Sequence, residues 1–304
     1  MNEEQHLYAL LEKTSRTFAL SIPLLPEPTR SEVVVAYLVF RIIDTLEDAT
    51  EWSSSRRVEA LEHALDLLQT KDTSLARLVA EDWLEAPPVR HAGYLELLAA
   101  TPMVLGQYRR LGRAAREQIG RYAAQSARGM IDFIGRSDSS GQLRLESLGE
   151  LQEYCFVVAG VVGQMLTELF VLGRAELEPV AGELRQRAVR FGEGLQLVNI
   201  LKDARADAAA GRAYLPPNVA LADVFALARA DLEIAAEYNG ILKESGTERG
   251  IWAFNALNTQ LATAALKLLQ AGGLGSKLTR LDVSRLRADI LHAVAGVLPH
   301  AGAA

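Results

Sequence analysis

Three carboxylates close the stretch AYLVFRIIDTLEDAT at positions 36–50: Asp44, Glu47 and Asp48. Spacings of three and four residues put all three on one face of an α-helix. The residues just before them, EVVVAYLVFRII, are apolar nearly all round, as suits a helix buried on most sides. Ionised carboxylates buried without partners are costly, so either their pKa values rise or a cation sits among them. The alternative is that the helix surfaces at Asp44 and the acids meet water. A second pair, Asp203 and Asp207, follows another apolar stretch in GEGLQLVNILKDARADAAAGRAYLP. Alone, an i, i+4 acid pair reads as a solvated surface. Here Lys202, Arg205 and Arg212 accompany it, and Asn199 stands one turn before Asp203. Acids facing each other from two helices can hold Mg²⁺, a hard ion that takes oxygen ligands and keeps part of its water shell. Such ions bridge to phosphate oxygens while Arg and Lys neutralise the rest, an arrangement suited to ionising a diphosphate ester.

The elements needed to carry these residues are helices. Ala, Leu, Arg and Glu dominate the composition and β-branched runs are few, which favours an all-α chain. Helical periodicity recurs almost everywhere between short breakers. SIPLLPEPTR is a proline-rich loop leading into the first acidic helix, and SSSRRVEALEHALDLLQT begins with capping serines and continues with amphipathic spacing. EAPPVR, SDSSGQLR and QAGGLGSK read as loops, and GRAYLPPN ends a helix with Gly and a paired Pro stop. No repeat, low-complexity tract or long linker divides the chain. A single all-helical domain over residues 1–304 is the simplest expectation.

Composition narrows the function. With 304 residues, 49% of them hydrophobic, the chain can build a large core. A net charge of −6 with only 6% aromatics argues against nucleic acid bound over a broad face, but not against an anionic small molecule in a local cationic pocket. Cys155 is the single cysteine, so no intrachain disulfide forms and a reducing compartment is expected. Its apolar setting, YCFVVAGVVG, suits a buried, inert thiol. The N-terminus MNEEQHLYALLEK is acidic and lacks a signal-peptide pattern, and no uncharged apolar run reaches the roughly 18 residues needed to span a bilayer. The expectation is a cytoplasmic chain without a transmembrane segment. The five His residues lack ligand spacing, which argues against zinc.

RIIDTLEDA together with NILKDARADAAAGRAYLP resembles the two aspartate-rich motifs of the squalene/phytoene synthase family. SRTFALSIPLLP resembles that family's first block, and EYCFVVAGVVGQMLTELF its central helix. The four blocks occur in the family's order over residues 14–216, and the D-T-L-E-D form is closer to the squalene synthases. The resemblance implies an all-α isoprenoid synthase fold with a central cavity and metal clusters at its mouth. It further implies head-to-head condensation of two farnesyl diphosphates through presqualene diphosphate, followed in squalene synthases by NADPH reduction. Peripheral membrane association for product release stays open.

Carried over residue by residue, Asp44, Glu47 and Asp48 fall on the first metal motif, and Asp203 and Asp207 on the second with Asn199. Arg41, Lys202 and Arg212 match partners of the diphosphates. Ser15, Arg16 and Phe18 fall in the block that closes the pocket and contacts diphosphate. Tyr154 matches a tyrosine proposed to assist proton loss during cyclopropane closure; a phenol near pKa 10 is a poor base unless its surroundings shift it, and a core Tyr with a satisfied hydroxyl is the competing reading. Gly160 and Gly163 would leave room for a prenyl chain or allow close helix packing. Lys277 and Arg280 lie in the segment that resembles the NADPH region, although a basic loop after a helix is ordinarily just solvated. Three departures stand out: Lys202 where the family mostly has Arg, Ala206 in place of a frequent acid, and Phe156 where many relatives have His or Tyr. The rivals are a non-reductive sibling making presqualene diphosphate, phytoene or dehydrosqualene, and a non-catalytic helical binding protein of the same fold.

Overall fold

The computed structural model describes residues 2–49, 51–137, 143–209 and 212–296. The centre of the expected loop at 137–144, the glycine of GRAYLPPN and the last histidine lie outside those residues.

The chain is a succession of helices: α1 (Glu3–Thr14), α2 (Phe18–Ser21), α3 (Thr29–Glu47), α4 (Ser54–Gln69), α5 (Thr73–Glu85), α6 (Ala92–Ala99) and α7 (Thr101–Arg110). There follow α8 (Arg113–Gly135), α9 (Leu148–Cys155), α10 (Val161–Val171), α11 (Ala181–Ala209), α12 (Leu221–Glu244), α13 (Arg249–Gly272) and α14 (Arg280–Ala295). Local chemistry sets many of the boundaries. Ser53 caps α4, its Oγ accepting the Arg56 N–H at 3.2 Å. Thr279 and Asp282 close a reciprocal capping box at the start of α14. α13 stops where Gly273 turns to φ +83°, a conformation that costs a residue with a side chain.

α3 carries the first acidic motif and is buried along nearly its whole length, as its apolar sequence requires. It packs on α1, α4, α7 and α8. α11 carries the second motif and lies against α10, α12 and α13. Between α9 and α10 the helix continues through one π-helical turn, Phe156–Gly160, so residues 148–171 form one broken-register rod.

By length and composition that rod could cross a membrane, although, as expected from the sequence, no uncharged run within it reaches the roughly 18 residues of a span. Charges dispersed along it at Glu150, Glu153 and Glu168 hide the run from a search for uncharged stretches. Most of its apolar window is covered by other helices, the position of a core helix.

Its contact with α11 is unusually close. A Cβ on Gly163 would meet the Ala188 carbonyl oxygen at 2.1 Å, and one on Gly192 would meet the Ala159 carbonyl oxygen at 2.1 Å. A Cβ on Gly160 would meet Phe156, Val189 and Glu193 side chains at 3.0–3.5 Å. Close helix packing accounts for both glycines, Gly163 against the α11 backbone and Gly160 against side chains of α11 and the π-helical turn.

Among the described residues the only extended pairing is a single parallel bridge, Arg144 with Ala213. Leu145 N–H donates to Ala213 O at 3.3 Å and Ala213 N–H to Leu143 O at 3.2 Å. The bridge pins the chain that leaves α11 and so fixes Arg212 and Tyr214 on either side of it.

Candidate active site

Asp44 and Glu47 lie in the last turn of α3, and Asp48 is its C-cap. Each acid has found a cation. Asp44 meets Arg41 one turn back, 3.5 Å apart. Glu47 is buried and its partner is Arg57 of α4, at 3.7 Å, while Arg57 Nε also donates to the Glu47 backbone oxygen at 2.7 Å. Asp48 lies 3.3 Å from Arg212, which holds Asp207 at 2.9 Å. One guanidinium thus joins the two acidic motifs.

Burial governs the electrostatics. It pushes the Asp44 carboxyl up to about 6, against the pull of Arg41 and with the help of Asp48. Burial, and then the Asp48 carboxylate, push Glu47 up to about 8 despite Arg57. Asp207 is raised too, first by burial and then by Asp48 and Asp203, with Arg212 opposing. In all three, burial outweighs the cation that each carboxylate has found.

Asp203 is flanked by two ammonium groups, Lys277 at 3.2 Å and Lys202 at 3.5 Å. Lys202 also donates to Asn199 Oδ1 at 2.7 Å. Lys277 comes from the loop after α13, so the basic segment expected to serve a cofactor lies over the second acidic motif. Arg280 is exposed at the start of α14 and joins no ion pair among the described residues.

The N-terminal block adjoins the other side of α3. Ser15 Oγ accepts the Phe18 N–H at 2.9 Å, tying the turn between α1 and α2. The Phe18 ring sits 5.6 Å from Tyr37 and 6.3 Å from Phe254. Tyr37 donates to Thr14 O at 2.8 Å and accepts from Arg41 Nε at 3.3 Å. Arg41 also lies over the Tyr37 and Tyr94 rings, at 5.5 and 5.7 Å, which holds its charge beside Asp44. Arg16 is exposed.

Tyr154 is buried on α9, with Phe133 edge-on at 5.3 Å and Tyr214 stacked at 4.7 Å. Burial, then Glu47, raise its phenol well above the ordinary value, so the hydroxyl stays protonated. Cys155 is buried beside it and its thiol is likewise pushed up by burial, as expected of an inert cysteine.

Among the described residues, no three His, Cys, Asp or Glu side chains converge as ligands of one ion. The donors still fit Mg²⁺. That ion is commonly held by one or two carboxylates with waters and substrate phosphates rather than by an all-protein cage. The oxygen-only donors and the raised carboxyls answer that chemistry.

The chain matches the squalene/phytoene synthase family over residues 11–239, well over half its length. It belongs to that family. Its relatives include human squalene synthase, 30% identical over 212 residues, covering 70% of this chain and 46% of the human one. Squalene synthase of Cyberlindnera jadinii is 28% identical over 268 residues, 86% of this chain and 54% of the relative. The chain therefore spans about half the length of these relatives. Among solved structures, TcSQS in complex with a ligand superimposes with a TM-score of 0.79 at 25% identity, covering 98% of this chain and 94% of that one. A dehydrosqualene synthase, at 17% identity and a TM-score of 0.54 over 97% of both chains, shares the fold. The architecture is the all-α isoprenoid synthase fold expected from the sequence.

Several residues that adjoin the candidate site escape a motif search. Arg57 lies in SSSRRVEALEHAL, which reads only as an amphipathic surface helix. Tyr37 and Tyr94 brace Arg41, and Tyr214 faces Tyr154. The one sequence signal for Tyr214 is its place two residues after Arg212.

Proposed function

We propose that this chain condenses two farnesyl diphosphates head to head, through presqualene diphosphate, to squalene with NADPH as reductant. The observation that carries the reading is the Asp48–Arg212–Asp207 bridge, which sets the two acidic motifs side by side with a buried phenol close by. The squalene synthases among its relatives support the same reading.

Asp44, Glu47, Asp48, Asn199, Asp203 and Asp207 would hold Mg²⁺, which when bound supplies Lewis-acid charge to the diphosphate oxygens. Arg41, Lys202 and Arg212 neutralise the departing diphosphate, Arg212 with a planar fork and Lys202 as a point charge. Ser15, Arg16 and Phe18 close the pocket over the first substrate. Tyr154, held neutral, would relay the proton lost as the cyclopropane closes, its oxygen taking that proton while its own O–H proton passes on toward the departing diphosphate as final acceptor. Lys277 and Arg280 fit a phosphate-bearing cofactor. One is a lysine over the second motif and the other an exposed arginine at a helix N-terminus, where anions are favoured. NADPH bound there would supply hydride. The protein is read as one helical domain over 1–304, cytoplasmic, with peripheral membrane contact for product release.

Incubation with farnesyl diphosphate and Mg²⁺, with and without NADPH, tests the reading by product analysis. Squalene with NADPH and presqualene diphosphate without it are expected. Turnover that ignores NADPH would assign the chain to the non-reductive branch of its family. No consumption of farnesyl diphosphate under any condition would overturn the enzymatic reading and favour a helical binding protein.

A further inference from the structure

Two consecutive arginines in the first turn of α4 go opposite ways. Arg56 stays partly exposed, pairs with Glu59 and Asp82, and lies 5.2 Å over the Trp52 ring. Arg57 turns inward and is buried. Arginine is seldom buried without a partner, and a cation in the first turn of a helix sits at the unfavourable end of that helix's dipole. The compensating partner is the end of α3. Arg57 Nε donates to the backbone oxygen of Glu47, the last residue of α3, at 2.7 Å, and its Nη2 lies 3.7 Å from Glu47 Oε1. A terminal helix carbonyl lacks a donor within its own helix, so the guanidinium supplies one and meets the negative end of the α3 dipole. The three acids of the motif are thereby set apart. The Glu47 side chain is 5% exposed, against 28% for Asp44 and 41% for Asp48. Asp48 follows directly as the C-cap of α3 and meets Arg212.

We propose that Arg57 is a positioning residue for the first acidic motif. It clamps the last turn of α3 through the carbonyl and the carboxylate of Glu47, so that Glu47 and Asp48 meet a magnesium-bound diphosphate in one fixed arrangement. The inference rests on the proposed metal and diphosphate role of the two motifs. Two effects of Arg57 oppose each other. Its charge repels a cation, whereas its hydrogen bonds remove the freedom of the turn that must hold that cation. A carboxylate offers about four acceptor sites, so a guanidinium on one oxygen leaves room for a metal. Groups that hold a metal ligand in place are typically worth about 10- to 100-fold in metal affinity. The clamp therefore outweighs the repulsion, and losing Arg57 weakens the metal site.

The test measures binding of inorganic pyrophosphate by calorimetry at graded Mg²⁺, and the Mg²⁺ dependence of farnesyl diphosphate consumption. It compares the parent with Arg57→Gln, Arg57→Lys, Glu47→Gln, the double variant Arg57→Gln/Glu47→Gln, and Arg56→Gln as a control on the same helix. Arg57→Gln should raise the Mg²⁺ concentration for half-maximal pyrophosphate binding roughly tenfold. The Mg²⁺ midpoint of activity should move by about the same factor, with KM for farnesyl diphosphate at saturating Mg²⁺ within about twofold of the parent. Arg57→Lys keeps the charge without the planar fork and should fall between the two. Thermal unfolding checks that each variant folds. Should Arg57→Gln fail to fold, Arg57→Lys decides, with a rise of at least about threefold expected. Arg56→Gln should keep the parent midpoint, and the double variant should lose less than the product of the two single losses. A parent-like midpoint in Arg57→Gln overturns the inference, as does the same midpoint in Arg57→Lys where that variant decides. Tighter Mg²⁺ binding in Arg57→Gln overturns it too, because the guanidinium would then compete with the metal rather than hold its site. An equal shift in Arg56→Gln, or a full product of losses in the double variant, overturns it as well. A parent that binds no pyrophosphate at any Mg²⁺ concentration removes the metal reading and the inference with it. A parent that binds pyrophosphate with Mg²⁺, with the expected shift in Arg57→Gln, but leaves farnesyl diphosphate intact supports the clamp and removes the proposed reaction alone.

Discussion

Arg212 meets Asp48 at 3.3 Å while holding Asp207 at 2.9 Å, so the two acidic motifs share one counter-charge. Burial disfavours the charge on Arg212, but Asp48 and Asp207 raise its pKa further and keep it a cation. Replacing Arg212 with Gln removes both ion pairs and a phosphate partner. Turnover of farnesyl diphosphate should fall by about 10²–10³-fold, the size expected for losing one charged stabiliser of a leaving diphosphate. Helical circular dichroism should stay at the parent value. A variant with parent kcat/KM would remove Arg212 from the site.

Asp44→Asn and Asp203→Asn probe the two motifs separately. Each removes an anionic oxygen donor, and a loss of about 4 kcal/mol in transition-state stabilisation slows turnover roughly a thousandfold. Excess chelator should abolish activity in the parent, with recovery on adding Mg²⁺. Full activity in chelator or in either variant would contradict the metal reading.

Lys277 and Arg280 divide the two half-reactions. At saturating Mg²⁺, changing both to Ala should leave presqualene diphosphate formation largely intact and reduce squalene yield at limiting NADPH. The contact between Lys277 and Asp203 sharpens this expectation: Lys277→Ala alone should also shift the Mg²⁺ dependence of the first half, whereas Arg280→Ala should not. An NADPH titration with product analysis checks it, and squalene output equal to the parent at every concentration would refute it.

A further pair of acids makes stability depend on pH. Glu193 on α11 and Asp231 on α12 are buried and share Arg190, at 3.1 and 3.5 Å. Burial pushes Glu193 up to about 7 and Asp231 up to about 6, with Arg190 opposing in both. A carboxyl raised in the folded state gives its full contribution to stability below its unfolded value of roughly 4, and loses it as pH climbs through the folded value. Unfolding free energy in chelator should therefore fall between about pH 4.5 and 7.5. Asp44 acts in the same direction, and Glu47 extends the fall toward pH 8. Glu193→Gln should flatten this dependence by roughly 2 kcal/mol. Urea titrations at several pH values measure it, and superimposable slopes for parent and variant would disprove the assignment.

Two glycine substitutions should differ in sign. Gly163→Ala drives a methyl into the Ala188 carbonyl and should cost roughly 1–3 kcal/mol or more. Gly106→Ala, in α7 with open space around it, should stabilise by about 0.5–1 kcal/mol. Thermal unfolding of both variants decides between packing and prenyl-chain clearance as the reason for Gly163. Parent-like stability for Gly163→Ala would return it to the cavity.

Period and composition make the helical class, the two acidic faces and the Ser53 cap legible from the amino-acid sequence, because each depends on residues close together in the chain. The partners of those acids are not legible in that way. Arg57 reaches Glu47 from a different helix, and nothing in its own amphipathic pattern separates it from a solvated arginine. The sequence suggests a cofactor role for Lys277, but its position on Asp203 depends on how α13 returns the chain to α11. Tyr214 adjoins a one-pair extended bridge, too short to show a period. The membrane-length rod escapes notice for a different reason: its charges lie at helix positions that a linear search counts as interruptions.

The π-helical turn at Phe156–Gly160 has an orientational consequence. Inserting one residue into a helical turn rotates everything beyond it by roughly 100° relative to an unbroken α-helix. Gly163 is aimed at Ala188 on one side of that rotation, while Tyr154 is aimed at Tyr214 on the other. The rod therefore behaves as two half-helices with separate azimuths joined by a fixed swivel. Evolution can alter the face that grips α11 without re-aiming the phenol, and deleting any one residue from the turn would force the two aims back into a single register that cannot serve both.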